Sequence, residues 1–290
     1  MPKVVDGHLH LFRKATAEYP RTTYDVMAEA DREELAERLV VVMDEAGVDH
    51  AVVVPLSKED GYLRDVLAAF PGRFAGIGIF DHDRPDDVSA LEARRAVTPW
   101  RGLRFFGLRA VDGSTPDSLD CFPILQWMAD RGLVVWFYGD LVQIRALDLV
   151  MRRLPALKVV LNHMAFLPDI HAEMRVDAHR RPRFDVALPP PGLTEVERLA
   201  ANHANLHVHF SGHYAFSNEP YPYRDLADVA VRLHRAFGAN RMLMASDWPW
   251  TEIEPGYAQV LGLVDQLLPR LTTDERDAIR GTTAARLFGF

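Results

Sequence analysis

The feature that most constrains this chain is a rhythm. Short runs rich in β-branched and aromatic residues alternate with longer amphipathic stretches, eight times over. Short apolar runs bounded by turn signals read as buried strands, and stretches with apolar residues three and four apart read as helices. Strands are expected over 3–11, 49–56, 74–81, 102–108, 133–138, 157–164, 206–213 and 241–248. Helices are expected between them, over 33–46, 62–70, 86–97, 119–131, 142–154, 195–202 and 223–237, with 257–268 and 273–287 closing the chain. Asp31 stands where it can cap the helix over 33–46, and Gly47 stands where that helix should stop.

Strands that each lead into a helix imply a parallel sheet, because parallel neighbours need a crossover. A closed (β/α)8 barrel and a doubly wound open sheet both satisfy that pattern. The usual marker of the open sheet is a glycine-rich turn after the first strand. Here that turn reads Leu11-Phe12-Arg13-Lys14, without glycine. The expectation is therefore a single α/β domain over residues 1–290, a TIM barrel with long loops after strands one and six. Those loops, 12–31 and 165–193, fall on the C-terminal, active-site face. The second carries Asp169, His171, Arg175, His179, Arg180, Arg181, Arg183 and Pro189-Pro190-Pro191. Loops of this length are usually functional or disordered, so it reads as a lid or a subunit contact.

Several function classes are disfavoured by composition. With 41 acidic and 33 basic residues the net charge is −8, which argues against nucleic acid or an anionic membrane as partner. Cys121 is the one cysteine, so neither an intramolecular disulfide nor a multi-cysteine metal site can form. Met1-Pro2-Lys3 leads directly into an apolar run, without the basic segment and long apolar core of a secretory signal. The reading is a cytoplasmic protein acting on a small molecule, with surfaces that would allow a homodimer.

Catalytic groups of a barrel sit at the C-terminal ends of its strands. Strand one ends in His8 and His10, which strict alternation would place on one side together with Asp6. Strand four carries Arg104 and ends near Arg109, strand five carries Trp136 and Tyr138, strand six ends at His163 and strand eight at Asp247. Along strand seven, alternation would align His207, His209, Ser211 and His213, with His213 nearest the mouth and His207 deep and structural. Paired imidazoles can hold a metal or polarise a carbonyl. Arg104 offers a bidentate fork to a carboxylate, whether of a substrate or of the protein. Tyr138 and Trp136 suit either ring contact or core filling.

The run Asp6-Gly7-His8-Leu9-His10, the step Leu161-Asn162-His163 and the ending Ser246-Asp247-Trp248-Pro249 resemble the amidohydrolase superfamily. Ser211-Gly212, Tyr221-Pro222-Tyr223 and the final Ala285-Arg286-Leu287-Phe288-Gly289-Phe290 are similar to its branch of pyrone and sugar-lactone hydrolases and related decarboxylases. The resemblance implies catalytic roles for His8, His10, His163 and Asp247, with Asp247 as general base. It implies substrate contacts from Arg104, Tyr138, Trp136 and His213, and from Arg183 in the strand-six loop. Strand four lacks the lysine that bridges two metals in other members, and strand five ends in Trp136-Phe137-Tyr138 instead of a histidine. The implied cofactor is therefore none, or one Zn²⁺ or Mn²⁺ on His8, His10, His163 and Asp247. The implied reaction is opening of a lactone or similar cyclic ester of a carboxylated or polyhydroxylated substrate. The alternative is metal-dependent, non-oxidative decarboxylation of an aromatic or unsaturated acid.

Overall fold

A computed structural model of the protein describes residues 2–21, 27–84, 87–109, 116–167 and 174–290. Its strands are β1 (Val5–His10), β2 (His50–Val54), β3 (Phe74–Ile79), β4 (Gly102–Phe106), β5 (Val134–Tyr138) and β6 (Lys158–Leu161). A small antiparallel hairpin follows, β7 (Arg175–Val176) and β8 (Pro182–Arg183), and then β9 (Leu206–Phe210) and β10 (Met242–Met244). Eight of these form one sheet in the order β1-β2-β3-β4-β5-β6-β9-β10, with parallel neighbours. Its ends meet through Asp247 N–H to the His8 carbonyl (2.9 Å), His10 N–H to the Trp248 carbonyl (2.8 Å) and a parallel bridge between Leu9 and Trp248. The result is the expected single-sheet (β/α)8 barrel.

Alternation along the strands sorts the apolar residues into two shells. Val52 and Val54 of β2, Ile77 and Ile79 of β3, Val134 and Trp136 of β5, Val160 of β6 and Leu243 of β10 meet inside the barrel. Phe288, near the end of the closing helix Thr283–Phe288, packs with them as a plug. The intervening residues, such as Val53, Leu103, Phe105, Val135 and Phe137, face the surrounding helices. The side chains of both shells are buried, and that removal of apolar surface from water is what stabilises the barrel.

Three local expectations are corrected. The first helix runs Ala36–Glu45 and has no side-chain cap; Asp31 does not reach it, and the Ala36 N–H donates instead to the Tyr62 hydroxyl at 3.0 Å. A tertiary donor–acceptor pair has replaced the local one, which residue type alone could not announce. The stretch 257–268 is two short helices, Tyr257–Leu261 and Leu263–Leu267, meeting at Gly262. Strands six and seven stop earlier than the apolar runs do, at Leu161 and Phe210, and these early stops shape the site. Among the described residues no helix is long and apolar enough to cross a membrane. Asp169 and His171 lie outside the described residues.

Candidate active site

The site begins with a fault in β1. Asp6 stands opposite Ala51, Leu9 opposite Val53 and His10 opposite Val54, so Gly7 and His8 together oppose Val52. This is a β-bulge, one extra residue that flips the parity of everything after it. Asp6 is therefore on the outer face, not beside the histidines as alternation predicts. Glycine is required at the bulge, because a Cβ on Gly7 would lie 2.9 Å from the Met244 carbonyl oxygen. Asp6 becomes a clamp on the barrel seam. It accepts from His8 N–H (3.2 Å), Ser246 N–H (2.9 Å), the Ser246 hydroxyl (2.5 Å) and the Tyr257 hydroxyl (3.0 Å). Burial pushes its carboxyl up to about 6, even though these donors pull the other way.

Inside the seam, His8 Nε2 and His10 Nε2 are 3.2 Å apart, and each is 3.6 Å from Asp247 Oδ1. Asp247 itself sits at φ +59°, a left-handed conformation that aspartate tolerates better than bulkier residues. Its other oxygen, Oδ2, accepts a 2.6 Å hydrogen bond from the Tyr214 hydroxyl and lies 3.9 Å from His163 Nε2. Burial raises the Asp247 carboxyl to about 7, against the pull of Tyr214 and Arg104. Burial also lowers the imidazoles: His10 to about 3, and His8 and His163 well below the ordinary histidine value. Arg104 adds to the depression of all three. The chamber thus holds neutral imidazoles beside a carboxyl poised near neutrality.

The upper rim comes from the ends of β6 and β9. His163 lies past the end of its strand at φ +42°, in a turn of left-handed residues that includes Met164 and Ala165. Its Nδ1 is 3.1 Å from the Ser211 hydroxyl, and its ring stacks on His8 at 5.0 Å. Gly212 makes this packing possible: its φ is +73°, and a Cβ there would stand 2.8 Å from the His163 ring. That left-handed turn ends the alternation of β9. His213 starts a short helix (His213–Phe216) and turns outward, with its ring on Phe210 (4.5 Å) and parallel to Tyr223. The next residue, Tyr214, takes the inward place and reaches Asp247. Tyr214 was not expected from the sequence; the signal was Gly212, a residue after which counting by twos should stop.

Beneath the reactive layer lies a polar floor. Asn162 Oδ1 accepts from Trp136 Nε1–H (2.9 Å) and from His209 Nδ1–H (3.1 Å). Trp136 and His209 pack against each other and against His8. Trp136 is fully buried and also contacts Phe288, so it supports the site from below. His207, deeper still, is 3.1 Å from the Asn205 carbonyl, as a structural histidine would be. Arg104 is buried with its guanidinium 4.7 Å from the Phe106 ring and 5.6 Å from the Tyr138 ring. Tyr138 edges the His163 ring and lines, with Leu167 and Phe216, a cleft of about 200 Å³ that leads to the chamber.

The described part of the strand-six loop is braced against the barrel. Arg181 is buried between Asp177 (2.8 Å) and Glu254 (3.0 Å), with its guanidinium over the Tyr214 ring. Arg183 donates to the carbonyls of Tyr214 and Ser217, so it holds the helix that carries Tyr214. Arg180 pairs with Glu29, joining the two long loops. Of the expected site residues, His8, His10, His163, Asp247, Arg104 and Tyr138 come together, whereas Arg183, Trp136 and His213 pack against protein.

A metal can be tested against this geometry. His10 Nδ1 is 3.0 Å from the Val54 carbonyl, which can only accept, so in the neutral ring Nε2 carries the lone pair. Asp247 Oδ1 is buried and accepts no hydrogen bond among the described residues. His8, His10 and Asp247 form the one candidate metal set found among the described residues. A tetrahedral zinc with ligands at about 2.0–2.2 Å needs neighbouring ligand atoms about 3.3–3.6 Å apart. The observed separations of 3.2, 3.6 and 3.6 Å fit a single ion. His163 faces the other carboxylate oxygen and stands outside this set, contrary to the four-ligand expectation.

Known structures share the architecture. An amidohydrolase from Burkholderia multivorans, solved with zinc bound, superposes with a TM-score of 0.77 at 21% identity, covering 99% of each chain. A probable 2-pyrone-4,6-dicarboxylic acid hydrolase from Acinetobacter baumannii, solved with citric acid, gives 0.74 at 18% over 100% of each. The 5-carboxyvanillate decarboxylase of Sphingomonas paucimobilis gives 0.65 at 14% over 100% of each. No curated protein sequence matches the chain. At these identities the structural likeness establishes the fold alone. The sequence pattern of the family described as Amidohydrolase, however, matches residues 5–290. With that match over nearly its whole length, the chain belongs to the amidohydrolase family and is an enzyme of that superfamily.

Proposed function

We propose that the enzyme hydrolyses a lactone or similar cyclic ester of a small carboxylated or polyhydroxylated substrate. The observation that carries this reading is the asymmetry of Asp247. Tyr214 fixes Oδ2, while Oδ1 faces His8 and His10 without a donor among the described residues, on a carboxyl raised to about 7. A base with that affinity for a proton is matched to neutral pH, and such a base contributes about 10²–10⁴-fold to rate. Asp247 takes a proton from water as the water oxygen attacks the ester carbonyl carbon. The tetrahedral intermediate collapses by breaking the ring C–O bond, and the departing oxygen regains the proton from Asp247. One water is added and a hydroxy acid is formed. In this reading His163 donates to the developing oxyanion and Arg104 holds a carboxylate. His8, His10 and Asp247 would hold one divalent ion, whose chemistry there would be Lewis-acid polarisation of the carbonyl or the water.

Decarboxylation is the second reading, since relatives of this fold include decarboxylases. It is less favoured because β5 ends in Trp136-Phe137-Tyr138, with no added histidine to complete a firmly held metal. The test is a panel of dicarboxylated pyrones and aldonolactones, followed by base uptake at constant pH, with metal analysis of the untreated protein. Opening of at least one lactone is expected. No opening of any, with metal-dependent release of CO₂ from an aromatic acid, would replace this reading by the second.

A further inference from the structure

One cleft plays no part in the chemistry above. It measures about 360 Å³ and lies between the strand-one loop and the helix Gly61–Ala69. Leu11, Phe12 and Arg13 form one wall, and Pro55, Leu56 and Ser57 another. These walls begin one residue beyond His10 and one beyond Val54, whose carbonyl holds the His10 ring. The cleft therefore opens on the same C-terminal face as the reaction centre.

Arg13 is its distinctive group. The guanidinium carbon lies 5.5 Å from the Tyr19 ring centre and 5.1 Å from that of Tyr62. Both rings are fixed from behind: the Tyr19 hydroxyl donates to Asp65 at 2.7 Å, and the Tyr62 hydroxyl accepts from Ala36 N–H. Two aromatic faces thus hold one cation in place. Yet the guanidinium makes no ion pair and no hydrogen bond with any described residue, and its Nε is buried without a partner. Neighbouring arginines are not in this condition. Arg21 donates to the carbonyls of Arg13, Ala28, Glu29 and Arg32, and Arg94 grips Asp60 with two bonds of 2.6 Å. Glu59 also lines the cleft, but its carboxylate takes the Ser57 hydroxyl at 2.5 Å and does not pair with Arg13. A held guanidinium whose donors meet no acceptor among the described residues is suited to receive a planar or tetrahedral oxyanion.

We propose that Arg13, framed by Tyr19 and Tyr62, is a binding subsite for a carboxylate or phosphate group of the substrate, remote from the ester bond that is cut. The inference rests on the hydrolase reading, and it names the substrate class as a lactone bearing a second anionic group. The test compares matched lactones with and without a remote carboxylate or phosphate. Arg13→Gln is expected to raise KM for the anionic lactone tenfold or more, with kcat within twofold, and to leave the neutral lactone unchanged. Glu59→Gln, which removes a nearby negative charge, is expected to lower the same KM severalfold. If Arg13→Gln does not fold, Arg13→Lys takes its place, with a smaller rise confined to the anionic lactone. Equal effects on both lactones, or none, would overturn the subsite. Calorimetry with tricarballylate and with inorganic phosphate separates the two ligand chemistries and does not depend on turnover. If the wild type opens no lactone, the hydrolase reading fails. The subsite is then judged by these probes alone: at least tenfold weaker binding to Arg13→Gln supports it, and equal binding overturns it.

Discussion

The same eight strands build two unlike halves of one barrel interior. Toward the strand starts, Val5, Val52, Ala75, Ile77 and Val134 meet over Phe288, and every side chain obeys simple alternation. Toward the strand ends stand His8, His10, His163, Asp247 and Tyr214, and nearly every one is placed by breaking a local rule. The bulge turns His8 inward, left-handed backbone aims His163 and Asp247, and the Gly212 turn substitutes Tyr214 for His213. Each left-handed non-glycine residue costs on the order of 1–3 kcal/mol. The lower half, apolar and regular, supplies stability that offsets this cost. Regularity holds the barrel together, and irregularity marks where chemistry is done.

That division can be broken by substitutions on either side of it. The largest effect is expected from Asp247→Asn, which keeps the shape and removes the base. The hydrolytic rate should fall by about 10²–10⁴-fold, while the melting temperature is maintained, since a desolvated acid has been made neutral. A full rate in this variant would remove Asp247 from the mechanism. Ile77→Ala in the lower half should do the reverse. Denaturant titration should show a loss of about 2–5 kcal/mol, with the rate per folded molecule nearly unchanged. A collapse of that rate in folded protein would mean the two halves are not separable.

A smaller effect sharpens the role of the rim. Tyr214→Phe removes one charge-assisted hydrogen bond and should lower kcat about tenfold. It should also shift the pH profile. Asp247 works as a base when ionised, so activity of the metal-free enzyme rises with pH through about 7. Tyr214 lowers the Asp247 carboxyl by favouring its ionised form, so Tyr214→Phe should move that rise to higher pH. An unmoved profile would reduce Tyr214 to packing. The smallest effect belongs to Cys121, which is buried with a thiol pushed up to about 12. A thiol reagent at neutral pH should label it only when the protein unfolds; labelling of the native protein would show that the shell outside the barrel opens.

The regular half was legible from the sequence because period-two burial in apolar strands leaves little choice. All eight barrel strands occur where the apolar runs predict them, and His8, His10, His163 and Asp247 do converge at their ends. The exceptions share a physical cause. Asp6 left the inner face because the bulge at Gly7 depends on the Met244 carbonyl of a strand more than 200 residues away. His213 left it because Gly212 ends the strand, although that glycine was visible. Trp136 was ambiguous because a large ring on an inward position serves as floor or as wall according to depth, which periodicity does not report. Arg183 pointed to substrate by type, but the carbonyls of Tyr214 and Ser217 receive it.

The central claim is that the irregular upper half adds water to an ester. It is tested most directly by turnover of an opened lactone in ¹⁸O-enriched water, with mass analysis of product and gas. One heavy oxygen in the new carboxylate and no CO₂ are expected, with formation of the heavy product slowed by about 10²–10⁴-fold in Asp247→Asn. Release of CO₂ with no heavy oxygen entering a carboxylate would contradict it.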